Sequence, residues 1–227
     1  MSTGIRQSET GSTIPPERGL PPVLGFMIAA LLAAHAARIM APTDVQMWLV
    51  RTIAVHPLQF DAGRGEGFSS PWGAMLQLAG SAFLHANWAH VALNAACLLQ
   101  AGVPVSRVLG EGHSGGGKFI VVFFGSAIAG SLAYVAWNWG SPIEALGASG
   151  AACGVFGAYF VTLRGNWRAS LADRQVRSGV AVFLLVNVVL VAAMRMMGFL
   201  PIAWEAHLGG FLAGAALGAL LRRRESA

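Results

Sequence analysis

Few residues of this 227-residue chain pair a reactive or hydrogen-bonding side chain with an apolar neighbourhood: His90, Asn94, Ser149, Asn187 and His207, with His35 as an outlier nearer the N-terminus. Ionisable and polar groups are costly in hydrocarbon, so each is a candidate for function. Ser149 sits in Leu146-Gly147-Ala148-Ser149-Gly150-Ala151-Ala152. Small neighbours let a polypeptide approach the hydroxyl, and unpaired N–H groups in a helix's first turn can stabilise a developing oxyanion. Alone, this string fits a small-residue packing helix better than a nucleophile, because Gly150, Gly154 and Gly157 recur at helical spacing. His207 is followed by Gly210, Gly214 and Gly218 at intervals of four. If the two glycine faces pack together, their backbones come close enough for Ser149 to meet the imidazole within about 2.6–3.2 Å, the reach a general base needs. A lone intramembrane histidine can equally make a structural hydrogen bond.

His90 and Asn94 are four apart and share a helix face with Cys97, Leu98 and Ala101. Both side chains can donate to a tetrahedral oxyanion, a contribution of about 2.7–4 kcal/mol per donor. The alternative is an interhelical polar clamp, averaging about 0.6 kcal/mol. His85, at a loop-to-helix junction, is expected to organise the loop.

The elements that must position these residues follow from composition. Hydrophobic residues make up 55% of the chain and charged residues 11%, against about a quarter charged in a soluble domain. Six apolar segments approach the roughly 20 residues needed to span hydrocarbon: Val23–Met40, Trp88–Val108, Phe119–Trp137, Ala145–Leu163, Gly179–Met194 and Ile202–Leu221. The 29 glycines favour close helix packing. Residues 41–86 are partly apolar but interrupted by Arg51, His56, Pro57 and a Gly-rich stretch, as in an interfacial loop.

With six spans, 11 of the 15 Lys and Arg residues fall on one side, placing both termini in the cytoplasm by the positive-inside rule and residues 41–86 outside. A seventh span over 45–60 would translocate the arginine-rich loops. The net charge of +5 therefore reflects topology, and no nucleic-acid partner is expected. Cys97 and Cys153 both lie in apolar segments, which argues against a structural disulfide and a metal site.

The motifs His90-x-x-x-Asn94, Gly147-Ala148-Ser149-Gly150 and Ala206-His207-x-x-Gly210-x-x-x-Gly214 fall on the second, fourth and sixth spans. In that order and spacing the chain resembles the rhomboid intramembrane proteases over residues 23–222. The resemblance implies an all-α membrane protein: a six-transmembrane-helix rhomboid bundle with a long, partly membrane-embedded first external loop. It also implies a Ser149–His207 dyad without a catalytic aspartate, and an oxyanion hole from His90, Asn94 and the Ser149 backbone N–H. Gly147, Gly150, Gly210 and Gly214 would support the site, without metal or cofactor. Implied partners are the lipid bilayer and transmembrane protein substrates, cleaved in or near their membrane segments. Three departures stand out. Leu76-Gln77 replaces a Trp-Arg pair before Phe83-Leu84-His85, so a different loop anchor is expected. Cys153 replaces an aromatic residue beneath the catalytic histidine, and Ser106 replaces an acidic residue on the second helix.

The expected organisation is a disordered cytoplasmic tail over 1–20, the membrane domain over 21–222 and a cytoplasmic tail over 223–227. The short chain, without appended domains or an evident transit peptide, fits a bacterial inner membrane. The fifth span and the loop Met196–Trp204, with Met197 and Phe199, form an expected lateral gate. One rival is a catalytically inactive rhomboid-like protein that binds membrane clients, although such relatives generally lack the serine or the histidine. A transporter or channel is a second rival, disfavoured because Glu205 is the only acid near a span.

Overall fold

The computed structural model describes residues 19–64, 67–68, 70–110, 112–164, 166–196 and 202–222. The expected tails therefore lie almost wholly outside the described residues, as do Met197 and Phe199 of the expected gate. Among the described residues the chain is all helical apart from one isolated β-bridge. The helices are α1 (Pro22–Met40), α2 (Thr43–Ile53), α3 (Pro57–Phe60), α4 (Pro71–Gly80), α5 (Trp88–Leu109), α6 (Gly112–Trp137), α7 (Ser149–Thr162), α8 (Trp167–Ala172), α9 (Arg174–Met196) and α10 (Trp204–Leu221). Five of them, α1, α5, α6, α9 and α10, are long and apolar enough to cross a bilayer. The chain is a multi-pass integral membrane protein.

Local sequence sets the helix ends. Pro22 opens α1, where its missing N–H costs nothing. The Asn87 side chain caps α5 by accepting from the His90 N–H at 2.9 Å. At the other end Gly110 leaves the helix with φ +116°.

The fourth apolar segment behaves differently from the expectation of a span beginning at Ala145. Ala145 instead pairs with Val55 in an antiparallel bridge, its N–H donating to the Val55 carbonyl at 3.0 Å and its carbonyl accepting from the Val55 N–H at 2.8 Å. Helix α7 begins only at Ser149 and has 14 residues. At 1.5 Å per residue it is about 21 Å long, shorter than the roughly 30 Å of a hydrocarbon core.

Helix α7 is the centre of the molecule. Eleven of its 14 residues are buried, including Ala151, Ala152, Val155 and Ala158 in the main apolar cluster with Leu98, Phe119 and Phe123. The glycine faces meet as their spacing predicts. A Cβ at Gly210 would fall on the Gly150 backbone, one at Gly214 on the Gly154 backbone, and one at Gly218 would lie 2.7 Å from Ala158 Cα. On its other side α10 presses on α6, where a Cβ at Gly130 would lie 2.6 Å from the Ala206 carbonyl oxygen. Such backbone contact leaves no room for larger side chains and holds α10 in one register.

The described residues between 41 and 86 include α2, α3, α4 and a 3-10 turn at Ser81–Phe83. Gln77, one of the residues replacing the familiar Trp-Arg pair, anchors this region. Its side chain is buried, its Oε1 accepts from the His56 N–H at 3.1 Å, and its Nε2 donates to Gln59 Oε1 at 2.6 Å. A neutral carboxamide thus ties α4 to the α2–α3 connection.

Candidate active site

Ser149 is the first residue of α7, and the segment before it is strapped down at successive points. Besides the Val55–Ala145 bridge, the Gly147 N–H donates to the Ser81 carbonyl at 3.0 Å and the Ala148 N–H donates to His85 Nε2 at 3.3 Å. Gly147 has φ +122°, a conformation that costs glycine little and strains other residues. Accepting from Ala148 requires an unprotonated Nε2 on His85. Burial, followed by the neighbouring His90 and His35, pushes the His85 pKa down to about 3, so its ring is neutral at ordinary pH. Arg38, at the end of α1, donates to the His85 carbonyl at 2.7 Å. His85 therefore has the loop-organising role expected of it.

His90 and Asn94 meet this strap at Gly147. A Cβ there would lie 2.7 Å from His90 Cε1, 2.8 Å from His90 Nε2 and 3.8 Å from Asn94 Nδ2. A side chain there would collide with the His90 ring, while Asn94 sits at ordinary contact distance, so glycine is what lets His90 close on the turn before Ser149. Asn94 is 4% exposed and its Nδ2 has no hydrogen-bond partner among the described residues. An unpaired buried donor costs about 1–3 kcal/mol, which an acceptor arriving beside Ser149 would offset. A small cavity opens next to Ser149, lined by Gly147, Gly150, Tyr134, Val55 and Ala206.

His207 lies in the first turn of α10, beside Ala206, whose carbonyl oxygen would be 3.2 Å from a Cβ at Gly150. The glycine contacts thus bring His207 to the level of the first residues of α7. The structure gives no hydrogen bond between the Ser149 and His207 side chains among the described residues. His207 Nδ1 instead lies 2.9 Å from Asn187 Oδ1 on α9. The sequence marks Asn187 as a polar residue within a span but offers no sign of its partner, which lies 20 positions away on another helix.

The other singled-out residues have structural surroundings. Cys153 is buried in an apolar cluster with Phe160, Val176 and Phe211. Phe211, one turn below His207, stacks on Phe183 of α9 with centroids 5.3 Å apart, so aromatic packing near the base comes from α9 and α10. Ser106 is buried and its Oγ has no partner among the described residues. His35 meets Trp88 edge-on at 4.7 Å and His85 at 6.3 Å.

A multi-pass helical membrane protein with a serine at the tip of a deeply buried helix, preceded by a strapped turn against which a histidine and a carboxamide pack, defines a class of intramembrane site. The sequence matches the rhomboid domain over residues 73–224, more than half of its length. The chain belongs to the rhomboid family. It is similar to a rhomboid protease, GluP, of Bacillus subtilis (strain 168), with 31% identity over 139 residues, 60% of this chain and 24% of that protein. It thus spans about a quarter of that relative's length. Family membership supports a protease-like function at the level of the family.

Proposed function

We propose that this protein is an intramembrane serine endopeptidase that cleaves membrane-anchored proteins in or near their transmembrane segments. Ser149 is the nucleophile: it attacks the scissile carbonyl while His207 takes its proton. His90, Asn94 and the Ser149 backbone N–H hold the negative charge of the tetrahedral intermediate. His207 then returns the proton to the departing amine, and water releases the acyl group from Ser149. The observation that carries this reading is Gly147, whose absent side chain admits the His90 ring to the turn before Ser149 with Asn94 Nδ2 beside it at ordinary contact distance, that Asn94 donor being unpaired.

In this reading α7 is the remaining span of a six-helix bundle with both termini in the cytoplasm of a bacterial cell. Its shortness sinks Ser149 below the external surface, and the helices of residues 41–86 lie partly in the outer leaflet. Trp48 and Trp72, 60% and 81% exposed, would seat them there, as aromatic residues do at membrane interfaces.

The test is cleavage of a reporter with a single transmembrane anchor by the purified chain in lipid vesicles, with fluorophosphonate labelling in parallel. Cleavage and labelling should both vanish in Ser149→Ala. Labelling that persists in Ser149→Ala would remove Ser149 as nucleophile. Reporter binding without cleavage by the unaltered chain would favour a client-binding protein.

A further inference from the structure

His207 makes a polar contact that a two-residue mechanism leaves without a purpose. Its Nδ1 lies 2.9 Å from Asn187 Oδ1, and the Asn187 Nδ2 donates to the Phe183 carbonyl one turn back at 2.9 Å. A carbonyl oxygen only accepts, so the amide NH₂ must face Phe183 and the amide oxygen must face the ring. Turning the carboxamide over would set two acceptors against each other at Phe183. With an acceptor opposite Nδ1, the neutral imidazole carries its proton on Nδ1 and leaves the lone pair on Nε2.

We infer that Asn187 is a positioning residue for the proposed base, fixing the ring orientation and the tautomer in which His207 Nε2 takes the Ser149 proton. The unit would then be Ser149–His207–Asn187, with a carboxamide where serine hydrolases commonly use a carboxylate. This inference rests on the Ser149 and His207 roles proposed above.

The helix that carries Asn187 gives the arrangement a further consequence. Val176, Val180, Phe183 and Asn187 recur at steps of four, three and four, one face of α9. Val176, Val180 and Phe183 join the apolar cluster with Phe160 and Phe211. Most of the rest of α9 as far as Ala193 is exposed. Asn187 therefore reaches His207 only while this face is docked, and withdrawal of α9 from α10 leaves the ring free to take either tautomer.

The experiment uses the full chain in lipid vesicles with a transmembrane reporter. Asn187→Leu, similar in size and without an acceptor, should lower kcat by about 100-fold, the low end of what a well-presented general base contributes, with KM little changed. Asn187→Asp, which restores an acceptor, should recover most of the loss. Nitrogen-15 NMR of histidine-labelled protein, with His207→Ala used for assignment, should show a pyrrole-type Nδ1 and a pyridine-type Nε2 for His207. In Asn187→Leu the two signals should shift toward a mixture of tautomers. A protonated Nε2 in the unaltered protein would overturn the inference whether or not the variants fold. If Ser149→Ala and His207→Ala both abolish cleavage while Asn187→Leu keeps the original kcat, the role of Asn187 fails alone. Cleavage that survives in Ser149→Ala overturns it together with the proposed mechanism.

Discussion

Gly210→Ala tests whether close packing of α10 on α7 serves catalysis or only stability. The new Cβ would fall on the carbonyl oxygen, carbonyl carbon and Cα of Gly150, all backbone atoms that no rotamer change can move. Ordinary carbon contacts begin at about 3.5 Å, so the helices must part by at least about 1 Å before the methyl group fits. Overpacking of this kind costs about 1–3 kcal/mol, which most folded proteins survive. The same 1 Å carries His207, one turn above Gly210, away from Ser149, and a misplacement of that size costs about 100-fold in rate, or about 2.7 kcal/mol in the barrier. The assay is kcat on the membrane reporter beside a thermal melt. Gly210→Ala should lose about 100-fold in kcat while retaining a cooperative transition. Gly117→Ala is the control, because a Cβ there meets nothing within 4 Å, and it should leave kcat unchanged while the melting temperature holds or rises slightly, as alanine does for glycine within a helix. An unaltered kcat in Gly210→Ala would show that the α7–α10 spacing does not set the reacting geometry.

Asn94→Ala should lower kcat by about 10²–10³, the loss typical of one oxyanion donor, while the melting temperature holds or rises because an unpaired buried donor is removed. A large fall in melting temperature with normal kcat would return Asn94 to a structural role. His85 has a folded-state pKa of about 3, far below the ordinary histidine value of 6.5. The unfolded chain therefore binds more protons between these values, and this contribution to stability, complete above about pH 6.5, is lost as pH falls toward 3. His85→Gln should flatten the decline of melting temperature between pH 7 and pH 4, and an unchanged slope would show that His85 does not contribute to it. Gln77→Ala leaves the part-buried His56 N–H without its acceptor and should cost about 0.5–1.5 kcal/mol of stability. Proteolysis should then find the α2–α4 region more open, and no change in protection would deny Gln77 its anchoring role.

Several features were legible in the sequence because they depend on local composition. Long apolar runs have few structural solutions in lipid, where each backbone polar group needs an internal partner and only helices or closed barrels span. The runs for α1, α5, α6, α9 and α10 were therefore readable to within several residues. Glycines three or four apart marked the faces on which α7 and α10 meet, because a repeat near the helical period projects to one side. The rarity of polar groups in apolar segments singled out Ser149, His207, His90, Asn94 and Asn187 before any of them had a partner.

What only the tertiary structure decided involves contacts between residues far apart in the chain. Apolar composition cannot distinguish a span beginning at Ala145 from an extended strap, because Ala145 leaves helix only by pairing with Val55, 90 positions earlier. Nor does the replacement of Trp-Arg by Leu76-Gln77 reveal that Gln77 anchors the loop, since its two partners are His56 in the α2–α3 connection and Gln59 in α3. The meeting of Asn187 with His207 depends on how α9 docks against α10. Periodicity shows which face a residue occupies, while the neighbour across that face is chosen by packing of the whole bundle.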